Sequence, residues 1–464
     1  MKKHLFIIIS IMILIATSPA EVYAIGTTTG IDSSMAVHPA KLKLNLDNQS
    51  GIENNGVDVR SDFGAKGDGI TDDTEAIQKA INYCLTNSRK LYFPKGSYLV
   101  GSKISTYEYF VGIFSTLTNI DGFSILGNDA NIIDGRNMTK LGVHFSPVFL
   151  FDSCKNISIQ GLNYRCEDTS YDKEKQLGYW GATYVMFLND CSDVKVDFSV
   201  YNARYGIRTG DFNNPKYNGL NGIVNLDAKI VANTTGYPVS IEMGSHINID
   251  LDADTMHRAA YMCGVQNVNL KARVKNIYIA PIFVLLSDTR YIDHGITKYR
   301  GCSDCVINVD DVGSTHSSVP SSLFGIQLYD CFQRTKETVK FSNLKLQGTV
   351  SKSTTADIGA ITTSFTSKAS DILENVGLEF NTMQTRNICY ARITSDDLKT
   401  VRNFRIENFV IAKPGYFTFN LGTGTEVCIS KSNLYLITCN SKQGGKVSIE
   451  EEASVHEIKK VAMH

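Results

Sequence analysis

The chain has 464 residues, a formal net charge of −1, and 20% charged and 10% aromatic side chains. Balanced charge and a pI of about 6.7 exclude a nucleic-acid binder driven by bulk positive charge. A length so far above the usual domain of roughly 100 to 150 residues calls for several domains or a repeat.

Residues 1–24 read as a secretory leader. Lys2 and Lys3 precede an apolar run from Leu5 to Ala16, and Val22-Tyr23-Ala24 supplies a small-residue cleavage site. The run is shorter than the roughly 20 apolar residues that span a bilayer. A secreted or periplasmic protein without a membrane anchor is expected. Residues 25–57 are polar and aperiodic, a leader arm.

From Asp58 the text becomes structured. Gly64, Gly67 and Gly69 predict a turn, and Asp72 with Glu75 predicts a capping box opening a helix. Ile77, Ala80, Ile81 and Cys84 recur at helical spacing, so one apolar stripe must cover something. Leu91-Tyr92-Phe93 predicts a short strand and Pro94-Lys95-Gly96 its turn. A lone amphipathic helix ahead of many short strands suits a plug over the open end of a sheet stack.

The segment Asp62-Phe63-Gly64-Ala65-Lys66-Gly67-Asp68-Gly69, with Thr71-Asp72-Asp73-Thr74, Ala76-Ile77-Gln78 and Phe93-Pro94-Lys95-Gly96-Ser97-Tyr98, resembles the entry cap of the pectate-lyase superfamily. That group includes polygalacturonases and phage tailspike depolymerases. The resemblance covers about 45 residues. It implies an all-β chain, a single-stranded right-handed parallel β-helix with a short N-terminal capping helix, and a polysaccharide as partner. The expected layout is a cap and first coil at 58–100, the β-helix with loop insertions at 101–450, and a tail at 451–464.

The body carries the matching repeat. Alternating strands follow polar turns at Cys154–Ile159, Cys191–Val196, Ile247–Leu251, Val268–Ala272 and Val306–Val309, with a period of about 21 residues between Ile247 and Val268. Period-2 alternation means one buried and one solvated face. Laying Asn248, Asp250, Asp252 and Asp254 over Asn269, Lys271, Arg273 and Lys275 gives a ladder of amides and opposite charges. Extending it downward places Asn225, Asp227 and Lys229 beneath, with one clash, Asp227 under Asp250. The ladder outweighs a Ca²⁺ site at the three aspartates, and no cofactor or metal is expected.

The same register aligns Tyr205–Gly210, Val239–Gly244, Ala260–Gly264 and Pro281–Val284, turning Ile207, Ile241, Tyr261 and Ile282 inward and setting Arg208 beside Glu242. Turns ahead of these strands bring up Arg204, Tyr205, His257, Arg258 and Tyr278. Acting on a glycan needs a proton donor or acceptor, cations for acid groups and aromatic surface. Glu242, His257, Tyr205 and Asp211 are therefore the candidate catalytic residues. Arg204, Arg208, Arg258 and Tyr278 are the candidate substrate contacts. Loops 163–181, with Tyr164, Tyr171, Tyr179 and Trp180, 211–219, and 288–301, with Arg290 and Tyr291, would wall a groove.

The polygalacturonase order is broken here. Asn225-Leu226-Asp227 and Arg273-Val274-Lys275 flank Gly244-Ser245-His246, but no Asp-Asp pair stands between, and Asp310-Asp311 comes too late. Two chemistries remain: hydrolysis by Glu242 with a second carboxylate such as Asp211, or elimination on a uronate. The alternative is a glycan-binding or adhesive β-helix without catalysis. The pairs nearest in sequence are Cys302/Cys305 and Cys154/Cys166; an exported compartment permits a disulfide such as Cys302 to Cys305, but most of the 11 cysteines read as buried thiols.

Overall fold

The computed structural model describes residues 56–102, 113–136, 146–167, 183–210, 219, 221–277, 283–288, 301–313, 322–329, 340–350, 359–365, 371–382, 392–394, 398–402, 404–407, 410–421, 426–441, 446–450 and 453–462. The leader and all but the end of the arm lie outside these residues. Strand Gly56–Asp58 starts the fold two residues inside the segment read as arm.

Helix α1 spans Thr74–Asn87 and buries Ile77, Ala80, Ile81 and Cys84, the predicted stripe. The predicted capping box is not made. Asp72 ends the strand Asp68–Asp72 and accepts the Thr74 N–H at 3.0 Å, while Asp73 is the N-cap and makes no side-chain cap bond. Its carboxylate instead accepts the backbone N–H groups of Lys66 and Gly67 at 2.6 and 2.9 Å. The glycine-rich turn has exposed those donors, and they outbid the helix end.

Beyond the cap, all pairings are parallel and join the described strands in one 26-stranded hydrogen-bonded system. This is the expected parallel β-helix. Each coil turns three corners, and at each corner the backbone enters the left-handed region that Asn and Asp tolerate best. One corner stacks Asn156, Asp193, Asn225, His246, Asn267, Asp304, Asn343 and Asn375; a second stacks Asn202, Thr234, Thr255 and Asn276; a third stacks Asn119, Ser153, Asp190, Met243 and Gly264. Amides tie successive corners, Asn225 to Asp193 and Asn343 to Asp304, both at 2.8 Å. Between His246 and Asn267 the period is 21 residues, as the strand text predicts for Ile247 and Val268.

Inward rows make the core. Ile157, Val194 and Leu226, then Ile247, Val268, Cys305, Leu344 and Val376, are each at most 2% exposed. Burial at roughly 1.5 to 3 kcal/mol per large side chain, repeated rung by rung, is what holds a solenoid whose coils touch only their neighbours. Cys302 and Cys305 are both buried and not joined in a disulfide, so the sequence-adjacent pair belongs to the core.

The first side of the coil carries the charge ladder outward. Asn248, Asp250, Asp252 and Asp254 pair with Asn269, Lys271, Arg273 and Lys275 as predicted, and the ion pairs Asp252–Arg273 and Asp254–Lys275 measure 3.4 and 3.8 Å. The extension downward needs correction. Gly244 packs on Ile223 and Gly222 on Met243, which sets Lys229, not Asp227, beneath Asp250. Lys229 in turn meets Asp197 at 3.9 Å. The clash disappears because the minimal coil is two residues shorter there than the strand text suggested. Asp250 lies between Lys229 and Lys271, and Asp252 and Asp254 each face a cation on the next coil.

Gly161 shows how the first side bends. Its φ is +70° and an added Cβ would lie 2.1 Å from the Gly127 carbonyl oxygen. Gly161→Ala is expected to cost more than about 2 kcal/mol, through the left-handed backbone and the clash together. A urea midpoint unchanged from wild type would contradict this.

Candidate active face

The second side of the coil runs from the Asn202 corner to the Met243 corner. Strands Thr183–Asn189 and Ser192–Thr209 lie in register there with the corresponding stretches of Ile223–Met256 and Ala260–Ile277. The expected alignment shifts by two residues: Tyr205 pairs with Tyr237, Ile207 with Val239 and Arg208 with Ser240. Ile207, Val239 and Ala260 therefore share the inward row, and Ile241 joins Met262. Tyr261 pairs with Ser240 on the row of Arg208 and faces outward, contrary to expectation. Every pair from Ser192–Val224 to Thr209–Ile241 keeps one offset of 32 residues, so the shift is common to the whole coil.

Arg208 and Glu242 nonetheless meet, diagonally. The Arg208 Nη2 donates to Glu242 Oε1 at 2.7 Å, with side chains 11% and 6% exposed. Arg208 also donates from Nε to the Gly210 carbonyl at 3.2 Å. Its guanidinium lies 4.9 Å from the Tyr205 ring centroid and 5.8 Å from that of Tyr184. The pair is thus not the exposed surface bridge that contributes under about 1 kcal/mol.

Tyr205 sits within a tyrosine stack that runs up three coils. Tyr184 and Tyr205 stack at 4.8 Å and 12°, Tyr205 and Tyr237 at 5.3 Å and 18°, and His257 meets Tyr237 edge-on at 5.9 Å. Arg204 adds a second cation 5.4 Å from the Tyr205 ring. Arg204 and Tyr205 belong to a strand, not to the turn expected; His257 and Arg258 do lie at the turn, their N–H groups bonded to the Gly236 carbonyl. Because the tyrosine faces cover one another, they are not platforms for sugar rings. What this face offers a ligand is cationic and hydroxyl chemistry.

Exposure is uneven. Tyr205, Glu242 and His257 are only 7%, 5% and 3% exposed, whereas Arg204, Arg208, Tyr237, Arg258 and Tyr261 are half-buried. Burial, then the neighbouring cations Arg258 and Arg204, press the His257 imidazolium down to a pKa of about 4. Burial pushes the Tyr237 phenol up. At neutral pH both are uncharged. A histidine whose folded pKa lies below its unfolded 6.5 destabilises the fold as pH falls between those values, because only the unfolded chain takes up the proton. The loss reaches about 3 kcal/mol near pH 4. His257→Gln should flatten denaturation midpoints between pH 7 and 4; an equally steep variant would contradict the assignment.

Tyr184 and Tyr237 escaped the sequence reading. Their signal was present: in Tyr184-Val185-Met186, Tyr205-Gly206-Ile207 and Tyr237-Pro238-Val239 a tyrosine stands two residues before an inward apolar side chain. Tyr164, expected in a loop, is in strand Lys155–Cys166, 3% exposed, donating its hydroxyl to Asp134 at 2.8 Å. Asp211, Trp180, Tyr278, Arg290 and Tyr291 lie outside the described residues, as do Tyr171 and Tyr179. Among the described residues the cluster holds one carboxylate, Glu242, and no group of three or more His, Cys, Asp and Glu is placed to hold a metal.

A helix-plugged entry and stacked three-cornered coils define a parallel β-helix protein, and its cap is similar to that of pectate lyase-like proteins. Residues 56–180 match the family model described as rhamnogalacturonase A/epimerase, pectate lyase-like. Two fungal proteins are similar over short stretches. The non-secreted LysM effector LysM19 of Penicillium expansum is 36% identical over 101 residues, 20% of this chain and 7% of that protein. A probable glucan endo-1,3-beta-glucosidase of Arthroderma benhamiae is 34% identical over 94 residues, 16% of this chain and 11% of that one. The chain thus spans only about a tenth of the length of these relatives. Among solved structures, bacteriophage phi29 gene product 12 is 15% identical, with a TM-score of 0.46 over 88% of this chain and 56% of that one.

Proposed function

We propose that the protein is an exported enzyme that acts on an acidic polysaccharide along the second side of its β-helix, by elimination at a uronate. The observation that carries this is the charge of the tyrosine face: Arg204, Arg208 and Arg258 gather around the stack with one carboxylate, Glu242. The first side is charged as well, but its ions cancel rung by rung. Among the described residues of these two sides, the tyrosine face is the one with cations in excess. Hydrolysis calls for two carboxylates roughly 5 to 9.5 Å apart, and the described cluster supplies one.

In elimination an arginine neutralises the uronate carboxylate, which acidifies the adjacent C–H. A base removes that proton, the electron pair forms the C=C bond, and the glycosidic C–O bond breaks as its oxygen is protonated. His257 is neutral and has a lone pair to accept the proton; Tyr237, held protonated, is the donor beside it. The leader pattern at 1–24 supports secretion or a periplasmic site.

A second reading, binding without turnover, is favoured by one observation: Glu242 and His257 are nearly closed to solvent. Incubating the protein with acidic and neutral glycans separates the readings. Elimination gives new reducing ends together with the ultraviolet absorbance of an unsaturated uronate. Reducing ends without that absorbance would mean hydrolysis, and retained binding with no product would mean adhesion; either overturns the proposed reaction.

A further inference from the structure

We infer that Arg208 is a carboxylate-binding subsite whose place is held, in the unliganded protein, by the chain's own Glu242; the ligand class rests on the acidic-glycan reading above. Arg208 is fixed by contacts other than Glu242. Its guanidinium packs over Tyr205 and Tyr184, and its Nε is bonded to the Gly210 carbonyl. Those anchors aim Nη2 at Glu242 Oε1, 2.7 Å away.

Glu242 arrives from the next coil, and its backbone is secured separately. Its N–H donates to Thr209 Oγ1 at 2.8 Å, and the Thr209 hydroxyl also lies 3.2 Å from the Glu242 carbonyl oxygen. Backbone and carboxylate are thus held by different partners, and moving the carboxylate leaves the strand's bonds to Thr209 in place. A planar guanidinium held at its Nε edge presents the geometry that recognises carboxylates.

A consequence follows for specificity. A ligand acid group must displace an intramolecular carboxylate, so a single small carboxylate competes poorly. A chain with a second acid group within reach of Arg204, whose guanidinium touches the same Tyr205 ring, competes well. Glu242 thereby selects polyanionic chains over monomeric acids.

The test is chemical rescue. Glu242→Gln and Glu242→Ala, wild type and the exposed-ladder control Asp252→Asn are melted in potassium acetate and in potassium chloride of equal ionic strength. Both Glu242 variants are expected to gain at least about 2 °C in Tm from acetate over chloride, with no gain in wild type or the control. Arg208→Gln added to Glu242→Gln should abolish the gain. A response in the Glu242 variants no larger than the control's overturns the subsite. So does loss of polyuronate binding in Glu242→Gln while wild type binds, since Glu242 would then be positioning Arg208. Acetate rescue in a protein that binds no polyuronate would leave the subsite standing and sink the acidic-glycan reading instead.

Discussion

Asp134→Ala is expected to lower the unfolding free energy by about 3 to 5 kcal/mol, among the largest single-residue effects in the fold. Asp134 and Arg136 are 0% and 2% exposed. The carboxylate accepts from Arg136 Nε at 2.9 and 3.1 Å, from Nη2 at 2.6 Å and from the Tyr164 hydroxyl at 2.8 Å. Removing it strands a buried guanidinium and a buried phenol whose pKa burial already raises. Replacing all three polar groups tells a different story. Asp134→Leu, Arg136→Met and Tyr164→Phe together should recover most of the loss, because the desolvation cost disappears with the charges. Urea midpoints of the single and triple variants check both statements. A single variant within about 1 kcal/mol of wild type would show that the pair is not a structural pin.

The second large effect concerns binding. Arg204→Ala with Arg258→Ala should weaken affinity for an acidic glycan roughly 100-fold, each guanidinium contributing about 1.5 kcal/mol or more through charge-assisted hydrogen bonds. Both side chains are half-buried, so thermal unfolding should move little. Affinity for a neutral glycan of the same length should not change. Titration calorimetry at two salt concentrations distinguishes the cases, since the wild-type affinity should fall with salt more steeply than the variant's. Equal loss for acidic and neutral chains would mean that the arginines support the face mechanically.

How much of this was legible beforehand depends on the period of the signal. The core and the outward ladder from Asn248 to Lys275 follow from strict alternation and opposite charges, and both appear in register. The helix stripe from Ile77 to Cys84 was equally plain. What failed were offsets. The rung beneath Asp250 and the pairing of Arg208 with Ser240 each depend on the offset between successive coils, 21 and 32 residues, which a pattern repeating every two residues does not fix. The helix cap failed because Asp72 and Asp73 both suit the role locally. The Lys66 and Gly67 donors decided it from outside the helix.

The candidate face was legible in its residue types but not in its physics. Arg204, Arg208, Tyr205, Glu242, His257 and Arg258 do converge. Yet burial, invisible in the text, turns His257 into a neutral group and the tyrosines into a self-packed stack. That moves recognition from ring stacking to guanidinium chemistry.

The most direct measurement of the central claim is a crystal structure of the protein with an acidic oligosaccharide. The ligand is predicted on the second side of the coil, its acid groups against Arg208 and Arg204 and Glu242 turned away from Arg208. An oligosaccharide seated on the ladder of Asp250, Asp252 and Asp254, or bound with the Arg208–Glu242 pair intact and no acid group near an arginine, would contradict it.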